Sequence, residues 1–168
     1  MRHADTNTLE LLLAAPDIDV NAKSRFGRTP LHLVCLGLRT VSPIEIKRRF
    51  LSNLNLLIES GADVDAVTNA RLSALDIALG HGLREAVKIL LRAGAKNPTE
   101  FPPVRSPQNA ATFAVYDRVK AAGDWKAYAR QHQRVLAGLV RKCAPRLPDD
   151  AARHVVAFWT PPGGYYMC

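Results

Sequence analysis

A chain that catalyses a reaction needs a nucleophile, a general base or a metal ligand in a workable setting, so the five histidines, three cysteines and closely spaced aspartates come first. No His-x-x-x-His pair occurs, and Cys35, Cys143 and Cys168 are far apart, odd in number and never set as Cys-x-x-Cys. That pattern offers neither a disulfide framework nor a zinc site. Asp17 and Asp19, like Asp63 and Asp65, stand among turn residues, where short carboxylates bond their own backbone. Gly80-His81-Gly82 is too short for a phosphate-binding loop, and no Gly-x-Ser-x-Gly, Walker-type or Gly-x-Gly-x-x-Gly motif is present. The expectation is therefore a protein without catalytic residues, cofactor, metal or small-molecule substrate. Its chemistry would be recognition.

The elements that could present such a surface follow from composition. Hydrophobic residues make up 48% of the 168 positions, which suits a packed core. The apolar runs are short, as in Leu9 to Ala15 or Val135 to Val140, well under the roughly 20 residues that span a bilayer. Arg2, His3 and Asp5 do not open a signal peptide. With the cysteine usage, this gives an intracellular expectation, cytoplasm or nucleus, and no membrane partner. The net charge of +8 is uneven, with +3 over residues 1–98 and +5 over residues 99–168. Such a field favours acidic neighbours without choosing one.

A repeat organises the first hundred residues. Gly61-Ala62 recurs as Gly94-Ala95 at a spacing of 33, each after a leucine-rich stretch. Asp17-Ile18-Asp19-Val20-Asn21-Ala22 matches Gly61-Ala62-Asp63-Val64-Asp65-Ala66, and the stretch Gly27 to Cys35 matches Arg71 to Leu79. Thr29 can cap a helix with Pro30 in its first turn, and Gly61 and Gly94 suit left-handed caps. Val87, Leu90 and Leu91 mark an apolar stripe that one unit cannot cover alone, so units must stack. With its Thr29-Pro30-Leu31-His32 tetrapeptide, the chain resembles the ankyrin-repeat family over about residues 7–98. The resemblance implies an all-α solenoid of about two and a half repeats followed by a small C-terminal helical cap. It also implies that His32 bonds the backbone of the next unit.

Three departures from the family pattern stand out. Leu31 to Gly61 spans 30 positions where Leu75 to Gly94 spans 19, an insertion of 11. A loop around Arg39 to Ser42 and a longer second helix, opened by a capping box at Ser42-Pro43-Ile44-Glu45, would accommodate it. Ser73-Ala74-Leu75-Asp76 replaces the tetrapeptide, and Arg71 stands in place of the turn glycine. Leu9 to Leu13 reads as the second helix of a repeat without its first, either a half-repeat cap or the edge of a longer array. The expected boundaries are a half-repeat at 1–22, a repeat with the insertion at 23–66 and a repeat at 67–97. A proline-rich linker at 98–108 and a helical segment at 109–168 complete them.

In that last segment, helical periodicity runs from Ala111 to Ala122, where Gly123 ends it. Asp124 then caps a helix with the stripe Trp125, Tyr128, His132, Val135 or Leu136, Leu139 and Cys143. Pro145 and Pro148 precede a short helix over about Asp149 to Trp159. One reading makes these helices a cover for the open end of the stack. Leu147-Pro148-Asp149 before an apolar helix also resembles a truncated F-box, and Leu139, Cys143 and Leu147 loosely resemble an elongin-binding box. Those resemblances imply the substrate-recognition subunit of a cullin-type ubiquitin ligase, docking through Leu147, Pro148, Val155, Phe158 and Trp159. A third reading is a nucleic-acid binder using Arg130, Arg134, Arg141, Lys142 and Arg146, though no recognition motif accompanies them.

The leading expectation is a non-enzymatic interaction module or adaptor for a protein partner. The ankyrin resemblance implies contact through turn tips and first-helix surfaces: Arg25, Phe26, Arg28, Leu36 and Gly37 in one unit, Asn69, Ala70, Leu72, Gly80 and His81 in the next. Phe26 between Arg25 and Arg28 has the composition of an interface hot spot. Lys23, Arg25, Arg28 and Arg39 could accept an acidic peptide of a protein partner.

Overall fold

The computed structural model describes residues 7–40, 44–96 and 104–143, with Pro148 and Ala151. Among these it forms seven helices: α1 Asn7–Leu13, α2 Pro30–Thr40, α3 Ile44–Glu59, α4 Ala74–Gly80, α5 Arg84–Arg92, α6 Ala110–Ala122 and α7 Trp125–Cys143. The chain divides into two compact units, Met1–Arg118 and Val119–Cys168. In the first, α2 pairs with α3 and α4 with α5, while α2 also packs on α4 and α3 on α5. This stacking of helix pairs buries Leu31, Cys35, Leu54, Leu57, Leu75, Leu79, Val87 and Leu90, the positions with helical spacing. Burial pushes the Cys35 thiol up to about 12, which leaves it without nucleophilic character.

Turns at one end of the pairs repeat the same construction. Ser24 donates its N–H to Arg28 O at 2.9 Å, and Thr68 donates to Leu72 O at 3.0 Å. The matching positions Gly27 and Arg71 both lie in the left-handed region, with φ of +70° and +57°. Arg71 carries a cost of about 1–2 kcal/mol that glycine avoids. Gly27 has a second constraint, since a Cβ there would meet Asn69, coming within 2.8 Å of its backbone nitrogen. Asn69 is the residue that ties the two tips together, donating from its backbone N–H to Phe26 O at 3.1 Å and from Nδ2 to Arg25 O at 3.1 Å. Gly27→Ala is therefore expected to lose about 2 kcal/mol of stability, from the left-handed strain together with the contact. Chemical denaturation that finds the variant as stable as the parent would contradict this account.

A second ladder joins the loops at the other side of each unit. Asp63 donates its N–H to Asn21 Oδ1 at 2.7 Å, and Lys96 donates its N–H to Asp65 Oδ1 at 2.9 Å. The side chains act between repeats, beyond the local turn bonds that their sequence context suggests. Asp19 and Asp63 do make those local bonds, to the N–H groups of Asn21 and Asp65. Gly61 and Gly94 adopt φ of +87° and +90° past α3 and α5, as left-handed caps require.

The insertion takes a form that differs from the expected loop. Arg39 and Thr40 are helical: α2 has 11 residues against 7 in α4, and α3 has 16 against 9 in α5. The whole insertion lengthens the two helices by about one and two turns. Three residues connect the helices in each pair. The capping box expected at Ser42-Pro43 falls on residues 41–43, outside the described ones.

Helix starts show one recurring exchange. Ser73 and Asp76 form a reciprocal capping box at α4, with Asp76 N–H donating to Ser73 Oγ at 3.1 Å and Ser73 N–H donating to Asp76 Oδ2 at 2.8 Å. At α2, Thr29 N–H donates to His32 Nδ1 at 3.3 Å, and the Thr29 hydroxyl lies 2.9 Å from the same nitrogen. Thr29 thus pairs with an imidazole, where the sequence suggested a hydroxyl cap on the helix backbone. The pattern returns once more 33 residues after Ser73, where Ser106 N–H donates to Asn109 Oδ1 at 2.7 Å. Asn109 then reaches back, donating from Nδ2 to Gly80 O at 3.3 Å and to Val104 O at 3.0 Å. The turn before α6 accordingly belongs with the repeats, within the expected linker range of 98–108. Buried Thr112, Phe113 and Tyr116 follow it, and Arg105 lies across the Phe113 ring while pairing with both Asp117 oxygens at 2.8 Å.

In the second unit, Asp124 caps α7 by accepting the Ala127 N–H at 2.6 Å. Trp125, Tyr128 and His132 form a half-buried row, with ring centroids 5.5 and 5.9 Å apart. Among the described residues, no helix is long and apolar enough to cross a membrane.

Candidate recognition surface

The ladder between tips places Phe26 at the rim of a cleft of about 430 Å³ whose walls include Arg28, Leu36, Asn69, Leu72, Ile77 and His81. Two turns and the facing sides of α2 and α4 build it. Phe26 is 50% exposed, and two guanidinium groups flank its ring, Arg25 at 4.7 Å and Arg28 at 5.2 Å from the centroid. A cation on an aromatic face is attractive by about 0.5–1 kcal/mol at an exposed site. Both arginines thus pack on the half-exposed ring.

Of the residues expected to meet a partner, seven line this cleft: Phe26, Arg28, Leu36, Asn69, Ala70, Leu72 and His81. Arg25 stands beside them on Phe26. Gly37 is occupied differently. A Cβ on Gly37 would overlap the Phe50 ring, coming within 2.9 Å of its Cζ, so Gly37 serves the packing of α2 on α3. Gly80 offers its carbonyl to Asn109. Thr68 and Asp76, also in the cleft wall, escaped sequence reading because their types and positions suggest capping alone.

His32 has no exposed surface and bridges two successive repeats within the first compact unit. Because Nδ1 accepts the Thr29 N–H, the neutral ring carries its proton on Nε2, which lies 3.1 Å from Leu72 O and donates to it. The resemblance implied this link between units. Burial lowers the His32 pKa, opposed by hydrogen bonds to Leu72 and Ala66, while the charges of Lys23 and Arg28 lower it further. Those two cations reveal a positive field at the tips. His81 is also lowered, by burial and then by the charge of Arg39.

The remaining candidates lie on α7 or beyond it. Arg130, Arg134 and Arg141 recur at helical spacing and are exposed, as is Lys142, whereas Arg146 falls outside the described residues. Pro148 is exposed; Leu147, Val155, Phe158 and Trp159 lie outside the described residues. Among the described residues, no group of three or more His, Cys, Asp or Glu side chains could hold a metal ion.

Stacked helix pairs joined at hairpin tips, with an exposed cleft along the tips and first helices, define a helical-repeat interaction scaffold. The chain belongs to the ankyrin-repeat family: the model for ankyrin repeats (3 copies) matches residues 1–100. It is also similar to the Ankyrin repeat and KH domain-containing protein mask-1 of Caenorhabditis elegans, at 30% identity over 139 residues. That match covers 83% of this chain and 5% of the relative, so the chain spans a small part of that protein's length. Ankyrin repeats mark the chain as a protein–protein interaction module.

Proposed function

We propose that this protein binds an acidic segment of a protein partner in the cleft between the tips and the first helices. The single observation that carries the reading is Phe26, half exposed at the cleft rim and held between Arg25 and Arg28. An apolar ring offers contact area at low entropic cost, and the adjacent guanidinium groups can take carboxylates in bidentate fashion. Leu36, Leu72 and Ile77 supply an apolar wall behind them. Binding requires no bond making, which agrees with a family whose members are generally non-enzymatic.

The test is direct measurement of complex formation between the full chain and partners recovered with it, repeated for Phe26→Ala. The expected loss is about 2 kcal/mol or more in binding free energy, the threshold of a hot spot, with the melting midpoint little changed because the ring is exposed. Undiminished affinity in the variant would remove the cleft from recognition. Arg25→Ala with Arg28→Ala should weaken binding more at low salt than at high salt if carboxylates are the contact. The exposed arginines of α7 support a second reading, nucleic-acid binding, whose signature would be a steep salt dependence with DNA or RNA that Phe26→Ala leaves intact.

A further inference from the structure

The lengthened helices make a second surface, at the end of the helix pairs opposite the tips. The additional two turns of α3 run past the start of α5, and the step between them is a groove of about 230 Å³. Its apolar lining comes from Leu38, Ile44, Leu51 and Leu83, and its cations are Lys47, Arg48 and Arg84. Glu85 also lines it, but this carboxylate is engaged by Lys88 Nζ at 2.9 Å. Ile44 is 57% exposed and Ile46 37%, on the same added turns that carry the charges.

The start of α5 adds to the positive field. Leu83 occupies its N-cap and its side chain makes no capping hydrogen bond to the first turn, which carries Glu85. A helix start in that condition attracts negative charge. Exposed isoleucines beside three cations and a helix start are complementary to carboxylates interleaved with large apolar side chains. Nucleic acid matches less well, since phosphates leave Ile44 and the leucine lining uncovered and face Glu85.

We infer that this groove is a second docking site, which takes a short acidic peptide segment of a partner protein. Apolar side chains of the segment lie against Leu38, Ile44, Leu51 and Leu83, and its carboxylates face Lys47, Arg48 and Arg84. The site arises from the insertion, so a repeat of regular length has no counterpart to it. It is separate from the tip cleft, and the two can be occupied together.

The experiment selects displayed random peptides of about a dozen residues on the full chain carrying Phe26→Ala, which disables the tip cleft. Selected peptides are then titrated against that chain and against the same chain with Lys47→Glu and Arg48→Glu, with melting midpoints showing that both are folded. The expected result is a set rich in Asp or Glu and in Leu, Ile or Phe, weakened about tenfold or more by the charge reversal. Ile44→Ser, at an exposed position, should weaken the same peptides and leave the fold intact. A selection that yields no peptide sensitive to the charge reversal overturns the inference. So does an oligonucleotide that binds through Lys47 and Arg48 without regard to Ile44, which would make the surface one for nucleic acid.

Discussion

Leu90→Ala is expected to destabilise the protein by about 2–5 kcal/mol, the range for removing a buried leucine side chain whose surroundings cannot collapse into the space. Leu90 has no exposed surface and belongs to α5, which packs on both α3 and α4. A cavity there loosens two interfaces at once, one within a helix pair and one between pairs. In a stacked array, stability is the sum of unit and interface contributions, and a short array has few interfaces to share the loss. Since a whole domain has about 5–15 kcal/mol, the variant should unfold at a far lower denaturant concentration. The same substitution at exposed Leu11 should be almost neutral, which makes the pair a controlled comparison. Equal midpoints for Leu90→Ala and the parent would contradict the stacking.

His32→Ala should cost about 1–3 kcal/mol, because Leu72 O loses its partner and Thr29 N–H is left beneath the tips without an acceptor. The ring also makes stability depend on pH, in a direction its environment dictates. In the unfolded chain, His32 takes up a proton as pH falls through its ordinary value of 6.5. In the folded protein, burial and the Thr29 N–H aimed at Nδ1 hold the ring neutral to lower pH. The unfolded state then binds more protons, so stability is complete above 6.5 and falls as pH drops from there toward the lowered folded value. His81 contributes with the same sign and at the surface, hence less strongly. Melting midpoints across this window should fall more steeply for the parent than for His32→Gln, which cannot titrate. Parallel slopes would show that the proton linkage resides elsewhere.

Much of this was legible in the residues. The period of 33, the leucine stripes and the glycines at Gly61 and Gly94 are local signals, because a helix and its left-handed cap are settled within a few residues of chain. Phe26 with its two arginines was legible for the same reason, since neighbours one and two positions away on a turn are near one another in any fold that forms the turn. The bond from His32 to the next unit followed from the family resemblance alone; its acceptor, Leu72 O, lies 40 positions away, and no local rule brings the two together.

Other features needed the assembled structure. Arg39 and Thr40 read as loop in sequence, but α2 continues through them, because where a helix stops depends on what it packs against as well as on its own residues. Asn109 looked like the start of a separate segment, and its bond to Gly80 became visible only when α4 and the turn before α6 were side by side. The groove under Ile44 and Leu83 is a product of the same kind: two helices of different length, set next to one another, leave a step that neither sequence contains. By itself, then, the sequence determined the repeat, the helix pairs and the residues at their tips, since each is encoded by short-range pattern. Only the tertiary structure decided how the insertion was spent, which side chains bridge the units and where the grooves lie, because those depend on distances between residues remote in the chain.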